Sequence, residues 1–294
     1  MKLLTTIITI AASINVVISQ YMPINTQYMY HSLLVNPAIA GSENALITSF
    51  SYRNHWLRSD LGPKTMLLSG HTPLKNDKIA LGAQVYKDEA NPTTNTGVST
   101  YFSYRIVKEN KQLNFGIKLG VYNTINNDVN LISKGDPVFN EDFHLEFGTG
   151  FGMHYKTNTY YLGAALPEII NGPNSTIDAR TWNYTLIAGY DCKVSKHFSV
   201  LPNVLLRKTG PDNMQPEITL IFRLEKTLDI GILSRLSKTY GLSLDYLITP
   251  QLQIGYSFDY GFGGLNPENS VGNHELNISY KLKKIVHSTN TKFF

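Results

Sequence analysis

The chain has 294 residues, of which 16% are charged, and it contains 18 tyrosines and 13 phenylalanines. This composition favours a β-rich protein, either lipid-facing or a sandwich, over a helical one. The formal net charge of +4 is too small and too scattered to indicate a nucleic-acid partner, and the single cysteine, Cys192, excludes an intrachain disulfide.

The first element in the chain is an apolar N-terminal segment. Lys2 precedes an apolar run at Leu3–Ile18, and the small residue Ser19 follows before Gln20. This order is typical of a secretory signal peptide, which we predict at residues 1–19. The alternative is a transmembrane anchor, but the run is short and is interrupted by threonine and serine. No later stretch of about 18 apolar residues occurs, so the mature chain is predicted to lack a spanning helix.

Residues 20–44 form a turn-rich segment that contains Asn36-Pro37-Ala38-Ile39-Ala40-Gly41-Ser42. We predict that this segment is a periplasmic or lumenal lead-in to a barrel at residues 45–283. Residues 284–294 are predicted to be a C-terminal tail.

Alternation of apolar and polar side chains predicts fourteen strands. In the last of them, Leu276, Ile278 and Tyr280 share one face, and polar side chains occupy the other. Apolar residues at spacings of two would scatter around a helix. The predicted strands are 45–53, 64–73, 78–87, 97–107, 112–122, 145–156, 159–166, 181–193, 197–208, 214–225, 227–237, 239–249, 251–260 and 272–283.

The connections between these strands sort by parity. Even-numbered connections are short, whereas the odd-numbered ones are mostly long, and only the link near Lys238 departs from this pattern. Outer-membrane barrels have short periplasmic turns and long outer loops, while a soluble β-sandwich, the competing fold, gives no reason for such sorting. We therefore predict an all-β fold, an antiparallel transmembrane β-barrel of about 14 strands. The predicted outer loops are Asn54–Pro63, Asp88–Thr96, Asn123–His144, Pro167–Arg180, Lys208–Asn213 and Gly261–Val271.

Charged residues of both signs fall on the polar faces and are predicted to face the lumen. Charges in a confined interior are costly unless they are paired, so the simplest interpretation is a set of ion pairs that line the barrel. A solute pathway and a seat for a plug are the functional alternatives. Glycines on the same faces, such as Gly148, Gly150 and Gly152, suit a tight or bent wall. The predicted lumen-facing residues are Arg105, Lys118, Glu217, Arg223, Asp245 and Asp259.

The sequence gives no sign of catalysis or of metal binding. The eight histidines are spread singly, and no Cys/His cluster appears, so neither a metal nor a cofactor is expected. The acidic segment Asn123–Phe143 has no glycine at the position where a calcium loop needs one for its tight turn. No Gly-x-Ser-x-Gly occurs, and nothing shows a nucleophile and a base converging, so we predict a protein that is not an enzyme.

Several short elements, taken together, resemble the PorP/SprF family of outer-membrane proteins of the type IX secretion system of Bacteroidetes. The resemblance covers nearly the whole mature chain and is densest at residues 28–75. Ile39 departs from it, because an aromatic residue is more usual there. The elements are Tyr28-Met29-Tyr30, Asn36-Pro37 with Gly41, Arg53-Asn54-His55-Trp56, Gly62-Pro63-Lys64-Thr65, His71-Thr72-Pro73, Gly135-Asp136-Pro137-Val138-Phe139 and Tyr160-Tyr161-Leu162-Gly163.

This resemblance implies an outer-membrane accessory that assists export or surface attachment of a specific cargo protein, such as a gliding adhesin. The implied partners are a cargo with a C-terminal sorting domain, the secretion or gliding machinery, and outer-membrane lipid. From the residues alone, a porin-like channel for small solutes remains the alternative, and an outer-membrane hydrolase is a third hypothesis.

Overall fold

The computed structural model describes residues 25–58, 62–74, 77–91, 93–126, 144–171, 183–209, 213–236, 239–262 and 270–283. Within these ranges the chain forms fourteen strands and two 3-10 helices, Ser32–Leu34 and Pro37–Ile39. The strands are β1 (Ala45–Asn54), β2 (Lys64–Pro73), β3 (Ile79–Ala90), β4 (Thr93–Lys108), β5 (Lys111–Asn126), β6 (His144–Lys156), β7 (Tyr160–Asn171), β8 (Tyr184–Tyr190, continued by Cys192–Lys193), β9 (Phe198–Thr209), β10 (Asn213–Leu224), β11 (Leu228–Arg235), β12 (Thr239–Leu247), β13 (Leu252–Gly261) and β14 (Asn273–Lys283).

The strands close into one antiparallel barrel. Each strand pairs with the next along the chain, and β14 pairs with β1 from Ala45 opposite Lys283 to Asn54 opposite His274. Closure leaves no unpaired sheet edge, which suits a protein surrounded by lipid. The predicted fold class, an all-β antiparallel barrel of fourteen strands, is confirmed.

Two predicted connections differ in the structure. The outer loop predicted at 88–96 is wrong, because β3 and β4 continue to a tight turn and pair as far as Ala90 opposite Thr93. The polar run there is rich in threonine, which favours strands. Similarly, β7 extends to Asn171, into the predicted loop Pro167–Arg180. Residues 59–61, 92, 127–143, 172–180, 210–212 and 263–269 of the predicted outer loops lie outside the described residues.

A register shift in the β6–β7 pair accompanies a proline. The shift lies between Thr149 and Phe151, and a side chain at Gly150 would meet the carbonyl oxygen of Pro167. Proline cannot donate to a strand ladder, so a bulge with a glycine opposite it keeps the sheet continuous.

The two faces of the barrel wall differ in polarity. In β4, Val98, Phe102 and Ile106 are exposed on the outer face, whereas Ser103 and Arg105 are buried on the inner face. The same alternation on the other strands gives an apolar belt around the barrel, as in membrane-spanning barrels. In the described part of the chain, no helix has the length and apolar content to cross a bilayer.

Residues 25–44 lie inside the barrel, and we call them the N-terminal plug. Its apolar side chains Tyr28, Leu34, Val35 and Ile39 are buried against side chains of the inner wall, among them Leu67 of β2, Ile187 of β8 and Leu205 of β9. This contact is the principal apolar core of the molecule, because the apolar residues of the outer face are turned away from it.

Candidate functional site: the barrel lumen and its plug

The turn at Asn36-Pro37-Ala38 attaches the plug to the inner wall. The side chain of Asn36 accepts a hydrogen bond from the Ala38 N–H (2.9 Å) and donates one to the Met153 carbonyl oxygen (2.9 Å). Pro37 is the first residue of its 3-10 helix, where the missing N–H costs nothing. Asn114 of β5 donates to the Ala38 carbonyl oxygen (2.9 Å). The N–H and the carbonyl oxygen of Ala38 are therefore both hydrogen-bonded by side chains.

Glycines of the wall make room for this turn. A Cβ at Gly116 of β5 would collide with the backbone of Pro37 and Ala38, and one at Gly152 of β6 would collide with the Asn36 side chain. The sequence predicted that inner-face glycines suit a tight wall. At these two positions the reason is that the absence of a side chain lets the plug approach the sheet closely.

Arg53 is the centre of a buried charge network in the outer half of the lumen, towards the end of β1. Its guanidinium lies 2.6 Å from Asp259 and 3.0 Å from Glu275, and all three side chains are at most 1% exposed. The guanidinium also donates to Thr26 of the plug (2.6 Å), whose own N–H donates to Glu275 (2.7 Å). Buried charges are tolerated when each is paired and hydrogen-bonded, and here the plug supplies part of that pairing.

Further pairs extend this network around the wall. Arg235 of β11 donates to Glu217 of β10 (2.6 Å), and Gln27 of the plug donates to Asp245 of β12 (2.9 Å). The first described residues of the plug are therefore hydrogen-bonded to several strands at once.

The network also reaches the segment that follows β1. Asn273 donates to Asp259 (2.7 Å) and accepts a hydrogen bond from the Trp56 N–H (3.1 Å). Arg53 donates to His55 (3.1 Å). Burial, together with the charge of Arg53, lowers the pKa of His55 to about 3, so this imidazole is neutral and accepts the hydrogen bond.

The structure places all six residues predicted to face the lumen on the inner face. Asp245 and Asp259 contact the plug. Glu217 is linked to Asp259 by Arg235, whose guanidinium pairs with both carboxylates. Lys118 pairs with Glu168 (3.2 Å). Arg105 donates to Asn44 (2.8 Å), the last residue of the plug. Arg223 pairs with Asp229 (2.7 Å), apart from these groups.

The family-motif residues divide between the plug and the wall. Asn36, Pro37 and Gly41 belong to the plug, and Gly41 has a positive φ of 65° and donates its N–H to His71 (3.0 Å). Arg53 is central to the charge network. The remaining three lie at strand ends, with Trp56 after β1, Pro63 just before β2, and Pro73 as the buried last residue of β2.

His31 is a functional candidate that the sequence did not single out. It is fully buried in the plug, between Ser69 (3.1 Å) and Asn277 (3.1 Å) of the wall. Burial lowers its pKa to about 4, so the ring is neutral near pH 7. A lone histidine in a turn-rich segment carries no periodic signal that could have indicated this position.

A cavity of about 530 Å³ lies at the other end of the lumen, where β1 begins and β14 ends. Met29 and Tyr30 of the plug form part of its wall, and an ion pair between Glu43 and Lys281 lies at its edge. Burial alone would raise the pKa of Glu43, but the positive charges of Lys156 and Lys281 outweigh it and hold that pKa below its ordinary value. We call this space the periplasmic cavity, because the short turns of a barrel face the periplasm.

The arrangement is suited to holding a segment of polypeptide inside the barrel. Among the described residues, no three His, Cys, Asp or Glu side chains come together as a metal site would require. The buried charges are engaged with one another and with the plug, and their hydrogen bonds fix its position in the lumen.

Comparisons with known proteins agree with this architecture. Among solved structures, the toluene transporter TodX of P. putida aligns with a TM-score of 0.52 and 10% identity over 87% of this chain and 94% of that one. The toluene transporter TbuX of Ralstonia pickettii aligns with a TM-score of 0.52 and 10% identity over 86% and 93%. At such identity the likeness shows the fold alone. No curated protein matches this chain.

The comparison with protein families is more specific. The family model described as type IX secretion system membrane protein PorP/SprF matches residues 17–280. This match spans the plug and nearly all of the barrel, and it confirms the resemblance noted from the sequence. The chain therefore belongs to the PorP/SprF family of type IX secretion system membrane proteins and is located in the outer membrane.

Proposed function

We propose that this protein is a closed outer-membrane barrel that assists the export or surface attachment of one specific cargo protein through contacts outside its lumen. The observation that supports the proposal is the filled lumen, since the N-terminal plug occupies the space that a polypeptide in transit would need. The cargo would carry a C-terminal sorting domain, and a gliding adhesin is the type of cargo that the family suggests. The protein would act by binding and not as an enzyme.

The segment after β1 supports contact on the outer side. Trp56 and Arg58 both have positive φ angles, 51° and 74°, which are costly for residues with side chains. Leu57 holds the segment in place by exchanging backbone hydrogen bonds with Val271 and Gly272. Tryptophan and arginine are the residue types that most often carry binding energy at interfaces.

The test is a chromosomal deletion followed by a census of proteins on the cell surface. We expect one surface protein to be lost while general type IX export continues. Complementation with the double variant Trp56→Ala/Arg58→Ala should restore the barrel to the membrane but not the cargo to the surface. The matched control is Lys193→Ala, at an exposed position on the periplasmic side, which should restore both. An unchanged surface after the deletion would refute the proposal.

A solute channel is the alternative, and the likeness to TodX and TbuX, described as toluene transporters, is what favours it. Conductance in planar bilayers separates the two functions. The closed barrel should give no stable open current, and Gly116→Val, which would displace the plug, should give one. Gly70→Ala is the control, because an added Cβ there meets only ordinary contacts of 3.4 Å or more. A large current from the unmodified protein would support the channel.

A further inference from the structure

The periplasmic cavity is lined by both apolar and polar side chains, and the plug leaves it unfilled. The apolar side chains of Met29, Leu201 and Leu247 and the phenol rings of Tyr30 and Tyr161 all line it. Its volume of about 530 Å³ falls within the range of ligand pockets, roughly 300–1,000 Å³. Because the barrel wall and the plug surround this space on its sides and leave it open only at its mouth, lipid of the surrounding bilayer does not line it.

The surface around the mouth of this cavity is basic. On the described turns and strand ends of the periplasmic side, six lysines are exposed, against three exposed acidic residues. The cavity lining itself holds equal numbers of basic and acidic residues, with Lys281 paired to Glu43 and Arg223 paired to Asp229, so the excess of positive charge lies at the mouth. The lysines are Lys78, Lys108, Lys111, Lys193, Lys196 and Lys226, and the acids are Asp77, Glu109 and Glu225.

We propose that the periplasmic cavity is the docking site for a short acidic segment of a periplasmic protein, with an apolar side chain inserted in the cavity and carboxylates at its lysine-rich mouth. The charge excess at the mouth selects a negatively charged partner and speeds its encounter. The aliphatic and aromatic lining selects an apolar side chain, which a free inorganic anion or a polar sugar would not supply. This proposal does not depend on the cargo proposed above.

The chemistry of the cavity and of its mouth defines the probe. We would use the labelled peptide Glu-Glu-Phe-Glu-Glu, acetylated and amidated, with full-length protein in detergent. The first control peptide replaces Phe with Ser, and the second replaces every Glu with Lys. We expect the Glu-Glu-Phe-Glu-Glu peptide to bind and both control peptides to fail to bind, and we expect added salt to weaken the binding.

Variants of the protein locate the binding. Lys156→Glu, in the cavity, should lower the affinity for the peptide at least tenfold. Met29→Ser should reduce the preference for the Phe peptide over the Ser peptide. Lys87→Glu changes the charge by the same amount at an exposed position on the outer side, away from the mouth, and should have less than a threefold effect. Electrophoretic mobility before and after heating shows whether each variant is folded. Should Lys156→Glu fail to fold, Lys156→Ala gives the same test with a smaller expected effect.

Three outcomes would overturn the proposal. The peptide could fail to bind the folded protein. Lys87→Glu could weaken peptide binding as much as Lys156→Glu, which would mean attraction to the overall charge of the protein without a site. Vesicles containing phosphatidylglycerol could displace it completely, while neutral vesicles do not, which would assign the basic surface to lipid headgroups. None of these outcomes bears on the surface-protein census, so the two proposals can fail separately.

Discussion

The charged side chains of the lumen are more deeply buried in its outer half than in its periplasmic half. In the outer half, Arg53, Asp259 and Glu275 are at most 1% exposed and are bridged by Thr26 of the plug. In the periplasmic half, the side chains of Arg223 and Lys281 are 37% and 42% exposed, beside an open cavity. One segment of about twenty residues meets both environments. The difference indicates that the outer half fixes the plug, while the periplasmic half is available to a partner.

The largest expected effect comes from removing the centre of the outer network. Arg53→Met should destabilise the folded barrel by about 3–5 kcal/mol, because Asp259 and Glu275 would remain buried without their partner. Urea unfolding, followed by the heat-dependent mobility of the barrel, measures the change. Arg223→Met is the matched variant in the periplasmic half and should cost less, since the side chain of Arg223 is 37% exposed and water already screens part of its pair with Asp229. Equal effects would contradict the distinction between the two halves.

Acidification should release the plug through His31. The pKa of this ring is about 4 in the docked plug, because burial disfavours the charged form, and the ordinary value is 6.5. A lowered pKa means that docking is fully stable above pH 6.5 and weakens as the pH falls towards 4, by about 3 kcal/mol over that window. The partners of the ring, Ser69 and Asn277, are neutral and give no compensating charge.

The measurement is the open probability in planar bilayers at pH 7, 5.5 and 4. Open events should become more frequent in the unmodified protein as the pH falls, and His31→Gln should remove most of this dependence, since glutamine does not titrate. Carboxylates of the wall also take up protons near pH 4, so the comparison with His31→Gln isolates the histidine. An identical pH profile for both proteins would exclude His31 as the cause.

The sequence predicts the barrel wall well and the plug poorly, and the reason is periodicity. Alternation reports which face of a strand meets lipid, so Leu276 and Glu275 can be assigned to opposite faces without a structure. The partners of Thr26 and His31 are set by where a non-repeating segment rests against distant strands, and no local pattern encodes that. Even the outer loop predicted at 88–96 was wrong, because threonine-rich polar strands resemble loops in composition.

The Asn36 turn tests how firmly the plug is held midway between the two halves. Asn36→Ala removes the bond to the Ala38 N–H and the bond to the Met153 carbonyl oxygen, and it should cost about 1–2 kcal/mol. Urea unfolding again gives the free energy. Asn36→Asp keeps the acceptor for Ala38 but places a buried carboxylate oxygen against the Met153 carbonyl oxygen, so it should cost more than Asn36→Ala. If Asn36→Ala lowered the free energy of unfolding more than Arg53→Met does, this turn and not the charge network would be the main attachment of the plug.

The smallest effect is expected where a charge pair lies in water. Lys87 and Glu89 form an ion pair of 2.5 Å, with side chains that are 48% and 41% exposed. Lys87→Ala should change the free energy of unfolding by less than about 1 kcal/mol, because solvent screens the pair and the freed Glu89 remains hydrated. The interatomic distance is close to that of the Arg53–Asp259 pair, so distance alone would predict similar losses for the two variants. A several-fold difference between them would therefore measure burial, which is the property that separates the network holding the plug from an ordinary surface contact.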